Sequence, residues 1–128
     1  MGGRSWTAEE DTLLIYLASI RVTYKNIVGL FALKGFTRTE SAIQSRAQSL
    51  RETEKLGHPW NWDVQTVDKW LDKVNEEYYI ETILVPTAAE LDFMKANQPE
   101  IDLLFHYTLR TMTRAQQHTG ASLGLFDY

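Results

Sequence analysis

Apolar positions in the first part of the chain fall into three helical stretches separated by short polar breaks. Leu13, Leu14, Leu17 and Ile20 recur at helical spacing and predict a first helix from about Ala8 to about Ile20. Thr7 precedes it and Glu10 follows three residues later, which is the T-x-x-E capping box. Glu9, Glu10 and Asp11 then lie in the first turn, where the helix dipole favours negative charge. Thr23 can cap a second helix with Tyr24, Ile27, Val28 and Phe31 on its apolar face, ending at Lys34-Gly35. Thr39 can cap a third, from about Glu40 to Glu54. Ala42, Ile43, Ala47 and Leu50 point one way on it, and Ser41, Gln44, Ser45 and Gln48 the other. Short helices joined by tight turns predict a compact bundle of the helix-turn-helix kind over residues 4–56.

Beyond Leu56-Gly57 the pattern changes. HPWNWD reads as an aromatic turn, with Asp63 able to cap a helix from Val64 to Asn75 whose stripe is Val64, Val67, Trp70, Leu71 and Val74. Trp60, Trp62 and Trp70 are expected to cover the base of the bundle and glue the extension to it; the alternative is that aromatics around HPWNW are exposed and serve a protein interface. YYIETILV, Tyr78 to Val85, has strand-like composition but no second strand to pair with, so it is irregular, helical in context or paired across a dimer. Thr87 and Glu90 form a second capping box, opening a short helix that runs through Leu91 and Met94 to about Ala96. Pro99 suits the first position of a long helix ending near Gln117, with Ile101, Leu104, Phe105, Thr108, Leu109 and Met112 buried. That stripe is expected to be core or the seam of a homodimer formed through the C-terminal helices. The expected architecture is all-α. A three-helix bundle is followed by a helical extension of about three helices over residues 57–118 and a flexible tail over 119–128, where Leu123, Leu125 and Phe126 can dock.

Composition narrows the chemistry. Of 128 residues 44% are hydrophobic and 12% aromatic, enough for a core and against global disorder. The absence of cysteine excludes disulfides, a thiol nucleophile and any cysteine-bearing zinc site. No stretch approaches the about 18 apolar residues that span a bilayer. MGGRSW has neither a signal-peptide core nor, with Trp6 at the sixth position, the myristoylation pattern, which points to cytosol or nucleus. The net charge of −4 hides a split: residues 1–51 carry seven bases against four acids, the remainder six against thirteen. Such asymmetry suggests two different tasks for the two halves.

Trp6 to about Leu50 resembles a single Myb/SANT-type repeat. Trp6-Thr7-Ala8-Glu9-Glu10-Asp11-Thr12-Leu13-Leu14 follows the family's W-T-x-E-E-D-x-x-L start. Tyr24-Lys25-Asn26-Ile27-Val28-Gly29-Leu30-Phe31 follows W-x-x-I-A-x-x-L with Tyr in place of Trp. Arg38-Thr39-Glu40-Ser41-Ala42-Ile43-Gln44-Ser45-Arg46, with Leu50, matches R-T-x-x-x-[CV]-x-x-R and the Leu that follows it. The chain departs from the family in lacking the third Trp, near Ala47 or Gln48, and the usual Gly between the first two helices. The resemblance implies that Trp6 is a core residue and that Glu9 or Glu10 pairs with Arg46, tying the first helix to the third.

It also implies a nuclear protein whose third helix enters the major groove of double-stranded DNA. Ser41, Gln44, Ser45 and Gln48 would meet base edges, and Lys25, Lys34, Arg38 and Arg51 would meet phosphates. With about four free basic groups and a slope of about 0.9 per neutralised phosphate, binding by one copy is weak and salt-sensitive, and a dimer or complex is needed. The alternative is a SANT-type interaction subunit of a chromatin or transcription complex with no direct DNA contact, its acidic half attracting basic partners. His58, His106 and His118 share no ligand spacing, and no phosphate-binding, dinucleotide or nucleophile-elbow motif occurs. The expectation is a non-enzyme without cofactor or metal and without a membrane role.

Overall fold

The computed structural model describes residues 5–74 and 80–118, with side chains described as far as Met112. It is all-helical among these residues: α1 (Ala8–Ser19), α2 (Tyr24–Leu33), α3 (Glu40–Thr53), a 3-10 turn (Pro59–Asn61), α4 (Val64–Lys73), α5 (Ile80–Ile83), α6 (Ala88–Asn97) and α7 (Leu103–His118).

The Thr7–Glu10 box closes the start of α1 in both directions: the Glu10 amide donates to Thr7 Oγ1 at 3.1 Å, and the Thr7 amide donates to Glu10 Oε1 at 3.1 Å. Thr23 and Thr39 cap α2 and α3 by accepting from the Asn26 and Ala42 amides. Gly35, at φ +91°, provides the left-handed residue that ends α2. The first three helices touch pairwise, and Ile27, Phe31, Ile43, Ala47 and Leu50 fill the space between them.

α1 is buried over more than one face. Every residue from Glu10 to Ala18 is inside, because α4, α5 and the 3-10 turn pack on the side of α1 that α2 and α3 leave open. A helix enclosed on all sides has no need of a polar face, and Ile15 and Tyr16 accordingly join Leu13, Leu14 and Leu17 in the core. Two tryptophans fasten the extension to the bundle. Trp62 is fully buried and its indole N–H donates to the Gly57 carbonyl, and the Trp70 indole donates to Thr12 Oγ1 at 2.8 Å. Trp60 does not share this role: 73% of it is exposed.

Of the three alternatives open for the YYIETILV run, the helical one occurs: Ile80–Ile83 is a single helical turn packed on α1. Ile80 and Leu84, four residues apart, are its buried side chains, a helical spacing that the β-rich composition hides. Tyr78 and Tyr79 of that run lie outside the described residues, as do the expected helix end at Asn75 and the 119–128 tail with Leu123, Leu125 and Phe126. The last helix begins at Leu103, not at Pro99. Ile101 closes a turn onto Gln98, and Asp102 Oδ1 accepts from the Leu104 and Phe105 amides, so Asp102 caps the helix.

The buried face of α7 is also not the expected one. Leu103 and Arg110 are buried with Tyr107 half-buried between them, whereas Leu104, Phe105, Leu109 and Met112 are 46–58% exposed and Thr108 is exposed. The cause is Arg110, whose guanidinium lies 3.2 Å from Asp68 on α4 and 3.5 Å from Glu81 on α5. That pair turns the 103–107–110 side inward.

Candidate nucleic-acid or protein interface on α3

The turn sequence Gly35-Phe36-Thr37-Arg38-Thr39 sets the start of α3, and Ile43, Ala47 and Leu50 fix its rotation by entering the core. Ser41, Gln44, Ser45 and Gln48 are therefore all exposed, on a side that the C-terminal half does not cover. The glutamine amides are not idle. Gln44 Nε2 donates to Glu40 Oε2 at 3.4 Å and Gln48 Nε2 to Glu52 Oε2 at 2.8 Å, each one turn away. The outward surface of α3 thus carries two carboxylates besides its uncharged residues, with Arg51 as its exposed base.

The expected phosphate-contacting residues divide. Lys25 and Arg51 are exposed. Lys34 and Arg38 are not available in the way expected. Lys34 Nζ lies 3.1 Å from Glu90 Oε2 and donates to the Val85 carbonyl at 2.8 Å, tying α2 to α6 and the loop before it. Arg38 sends Nε and Nη2 to the two oxygens of Glu10 at 2.7 and 2.9 Å, donates to the Ser5 carbonyl, and stacks 4.5 Å from the Trp6 ring centroid. Only 7% of its side chain is exposed.

The expected pair of Arg46 with Glu9 or Glu10 is corrected in its partner. Arg46 grips Asp11 with two hydrogen bonds of 2.8 Å, Glu10 belongs to Arg38, and Glu9 is half-buried with no part in either pair. Successive helical residues are about 100° apart, so neighbouring acids present themselves to different partners. Trp6 is half-buried between these arginines and the core, edge-on to Phe31 with ring centroids 5.9 Å apart.

These contacts set the local protonation. Burial pushes the Glu10 carboxyl up, but hydrogen bonds from Arg38 and the Thr7 amide outweigh it and leave it below the ordinary glutamate value. Arg38 and Arg46 are held above the ordinary arginine value, chiefly by their hydrogen bonds to Glu10 and Asp11. Beside the pairs an open hollow of about 580 Å³ lies between Trp6, the Thr37–Thr39 turn and the Ala42, Ser45, Arg46, Ser49 side of α3. Among the described residues no three metal-ligating side chains gather, and no helix is long and apolar enough to cross a membrane.

An exposed aromatic in HPWNW is the less favoured of the two readings of the sequence, and Trp60 is the residue that is exposed. Arg21, which occupies the left-handed region at φ +75° in the interval where no Gly occurs, is not singled out by the sequence. Set against known protein families, curated proteins and solved structures, the chain matches none of them.

Proposed function

We propose that this chain is a protein-interaction subunit of a chromatin or transcription complex, with an N-terminal Myb/SANT-like bundle used as a scaffold and contact surface rather than as a DNA reader. The observation that carries this reading is the commitment of Lys34, Arg38 and Arg46 to the internal carboxylates of Glu90, Glu10 and Asp11. Two of the four expected phosphate contacts, Lys25 and Arg51, stay exposed, and Glu40 and Glu52 bracket the glutamines that would meet bases. At about 0.9 per phosphate, two contacts give a salt slope of roughly −2, that of a feeble non-specific binder. Exposed apolar side chains point the same way. Trp60 and the Leu104, Phe105, Leu109, Met112 stripe of α7 suit contacts with protein, and the stripe is the seam through which a second copy would pair. On this reading the protein works in the nucleus.

The second reading, double-stranded DNA in contact with α3, is favoured by one observation: Ser41, Gln44, Ser45 and Gln48 are all open to the outside. Fluorescence anisotropy of a labelled mixed-sequence duplex with the full chain, at about 50 mM and about 200 mM salt, separates the two. The interaction reading expects no saturable binding at the higher salt. Sequence-selective binding there, lost in Gln44→Ala with Gln48→Ala and uniformly weakened in Arg51→Ala, would make DNA the ligand.

A further inference from the structure

A second surface, sharing no residue with the outward face of α3, lies where the end of α1 meets the start of α2 and the 3-10 turn. It is a groove of about 320 Å³ with Val22, Tyr24, Pro59 and Trp60 as walls and Arg21 and His58 at its rim. Trp60 stands 73% exposed beside it. The Arg21 guanidinium sits 5.6 Å from the Trp60 ring centroid, and its Nη1 donates to the Ala18 carbonyl at 3.5 Å.

The loop carrying Arg21 is held in an unfavourable conformation by a side chain from far along the sequence. Gln98, buried after α6, donates through Nε2 to the Arg21 carbonyl at 2.9 Å. Its Oε1 accepts from the Thr23 amide at 3.1 Å and from Asn26 Nδ2 at 2.9 Å. These bonds fix both sides of Val22 and leave Arg21 at φ +75°, a region where a side chain other than Gly's costs stability. Arginine at a position that suits glycine, laid on an exposed tryptophan, is a charged and aromatic platform set before any ligand arrives, which lowers the ordering cost of binding.

We propose that this groove docks a linear acidic peptide of a partner protein, one that places a prolyl or aromatic side chain between Trp60 and Tyr24 and a carboxylate on Arg21. Charge complementarity selects this occupant. Arg21 lines the groove, Lys25 is exposed one residue beyond Tyr24, and no acidic residue lines the groove among the described residues. The aromatic and prolyl walls match the surfaces that accept extended proline-containing segments. Arg21 offers a planar fork that takes a carboxylate with two hydrogen bonds. His58 Nδ1 accepts from the Trp60 amide at 3.1 Å, which leaves Nε2 as the ring's donor to a ligand.

The inference rests on the interaction reading, and its test is independent of duplex binding. The probe is an acetylated, amidated hexapeptide with a central Pro-Phe pair and two acids on each side, titrated into the ¹⁵N-labelled full chain. The Trp60 indole N–H is expected to shift saturably, and a peptide with lysine for every acid or Ser-Ser for Pro-Phe is expected to bind about tenfold more weakly or worse. Trp60→Ala is expected to abolish binding with the fold intact. Arg21→Gly is expected to weaken binding about tenfold while raising Tm by about 3 °C, because the strain is relieved. The proposal is overturned if the Trp60 indole does not move, if the lysine peptide binds as well, or if Arg21→Gly binds unchanged. Tighter binding of oligothymidylate than of the acidic peptide would make the groove a nucleic-acid site and overturn it equally. A failed peptide titration removes the groove, whereas the reading of α3 stands or falls on the duplex.

Discussion

Arg38 and Arg46 show how two guanidinium groups can sit against a core without contributing to an outside field. Each meets a carboxylate of α1 through two hydrogen bonds, and Trp6 lies against both. The folded-state pKa of Glu10 lies below its unfolded value, so its contribution is present above the ordinary glutamate pKa of about 4.3 and is lost as pH falls through the lower folded value. Glu10→Gln is expected to cost about 2 kcal/mol at pH 7. In urea unfolding followed against pH, the gap between variant and parent should close below about pH 4. Tyr16 gives the opposite case. Its hydroxyl is buried with no hydrogen-bond partner among the described residues, and burial raises its pKa. Tyr16→Phe is expected to leave stability unchanged or raise it by up to about 1 kcal/mol by the same unfolding measurement. The caps at Thr7, Thr23, Thr39, Asp63 and Thr87 were legible because a cap is a local bond between residues a fixed distance apart. The partners of Glu10 and Asp11 were not legible, because the choice between adjacent acids depends on where another helix lies.

At the scale of elements, α2 and α6 meet at Gly29, where an added Cβ would run into the ring of Phe93. Gly29→Ala is expected to destabilise by about 1–2 kcal/mol despite the better helix propensity of Ala. With Phe93→Ala already in place, the same change should stabilise by about 1 kcal/mol, a change of sign that a double-mutant cycle of chemical denaturation reads directly. The position of Arg110 explains the largest departure from the sequence pattern. An apolar stripe on α7 predicts a buried Leu104, Phe105, Leu109 and Met112, but the buried Arg110–Asp68 contact fixes the opposite rotation. Arg110→Ala is expected to cost about 3–5 kcal/mol by leaving the Asp68 charge in the interior without this partner, whereas Arg110→Met with Asp68→Leu should recover most of it. Periodicity located α7 to within a few residues. It misjudged the facing because a single buried ion pair outweighs an amphipathic preference that has no partner to bury it. YYIETILV left its conformation open because its residues favour strands; the helical alternative occurs because one turn packed on α1 buries both Ile80 and Leu84.

For the whole molecule, the decisive feature is that one hydrophobic cluster runs through both halves, from Leu13 and Phe31 to Met94 and Leu103. The charge asymmetry of the sequence suggested two separate tasks, yet Glu90 and Asp68 of the acidic half are paired with Lys34 and Arg110 inside the fold. Part of the acidity is thus structural, as is part of the basicity of the first half. The all-α class and the helices of the first half were legible from periodicity and caps. The use of the basic residues was not, since the same arginine can face a phosphate or a neighbouring carboxylate and only the packed structure decides which. The central proposal is that α3 shows its polar side to a protein and not to DNA. Amide chemical shifts of the ¹⁵N-labelled full chain, titrated with a mixed-sequence duplex at about 200 mM salt, test it most directly. Ser41, Gln44, Ser45 and Gln48 are expected not to move as a group; a saturable shift clustered on those residues would make DNA the ligand of α3.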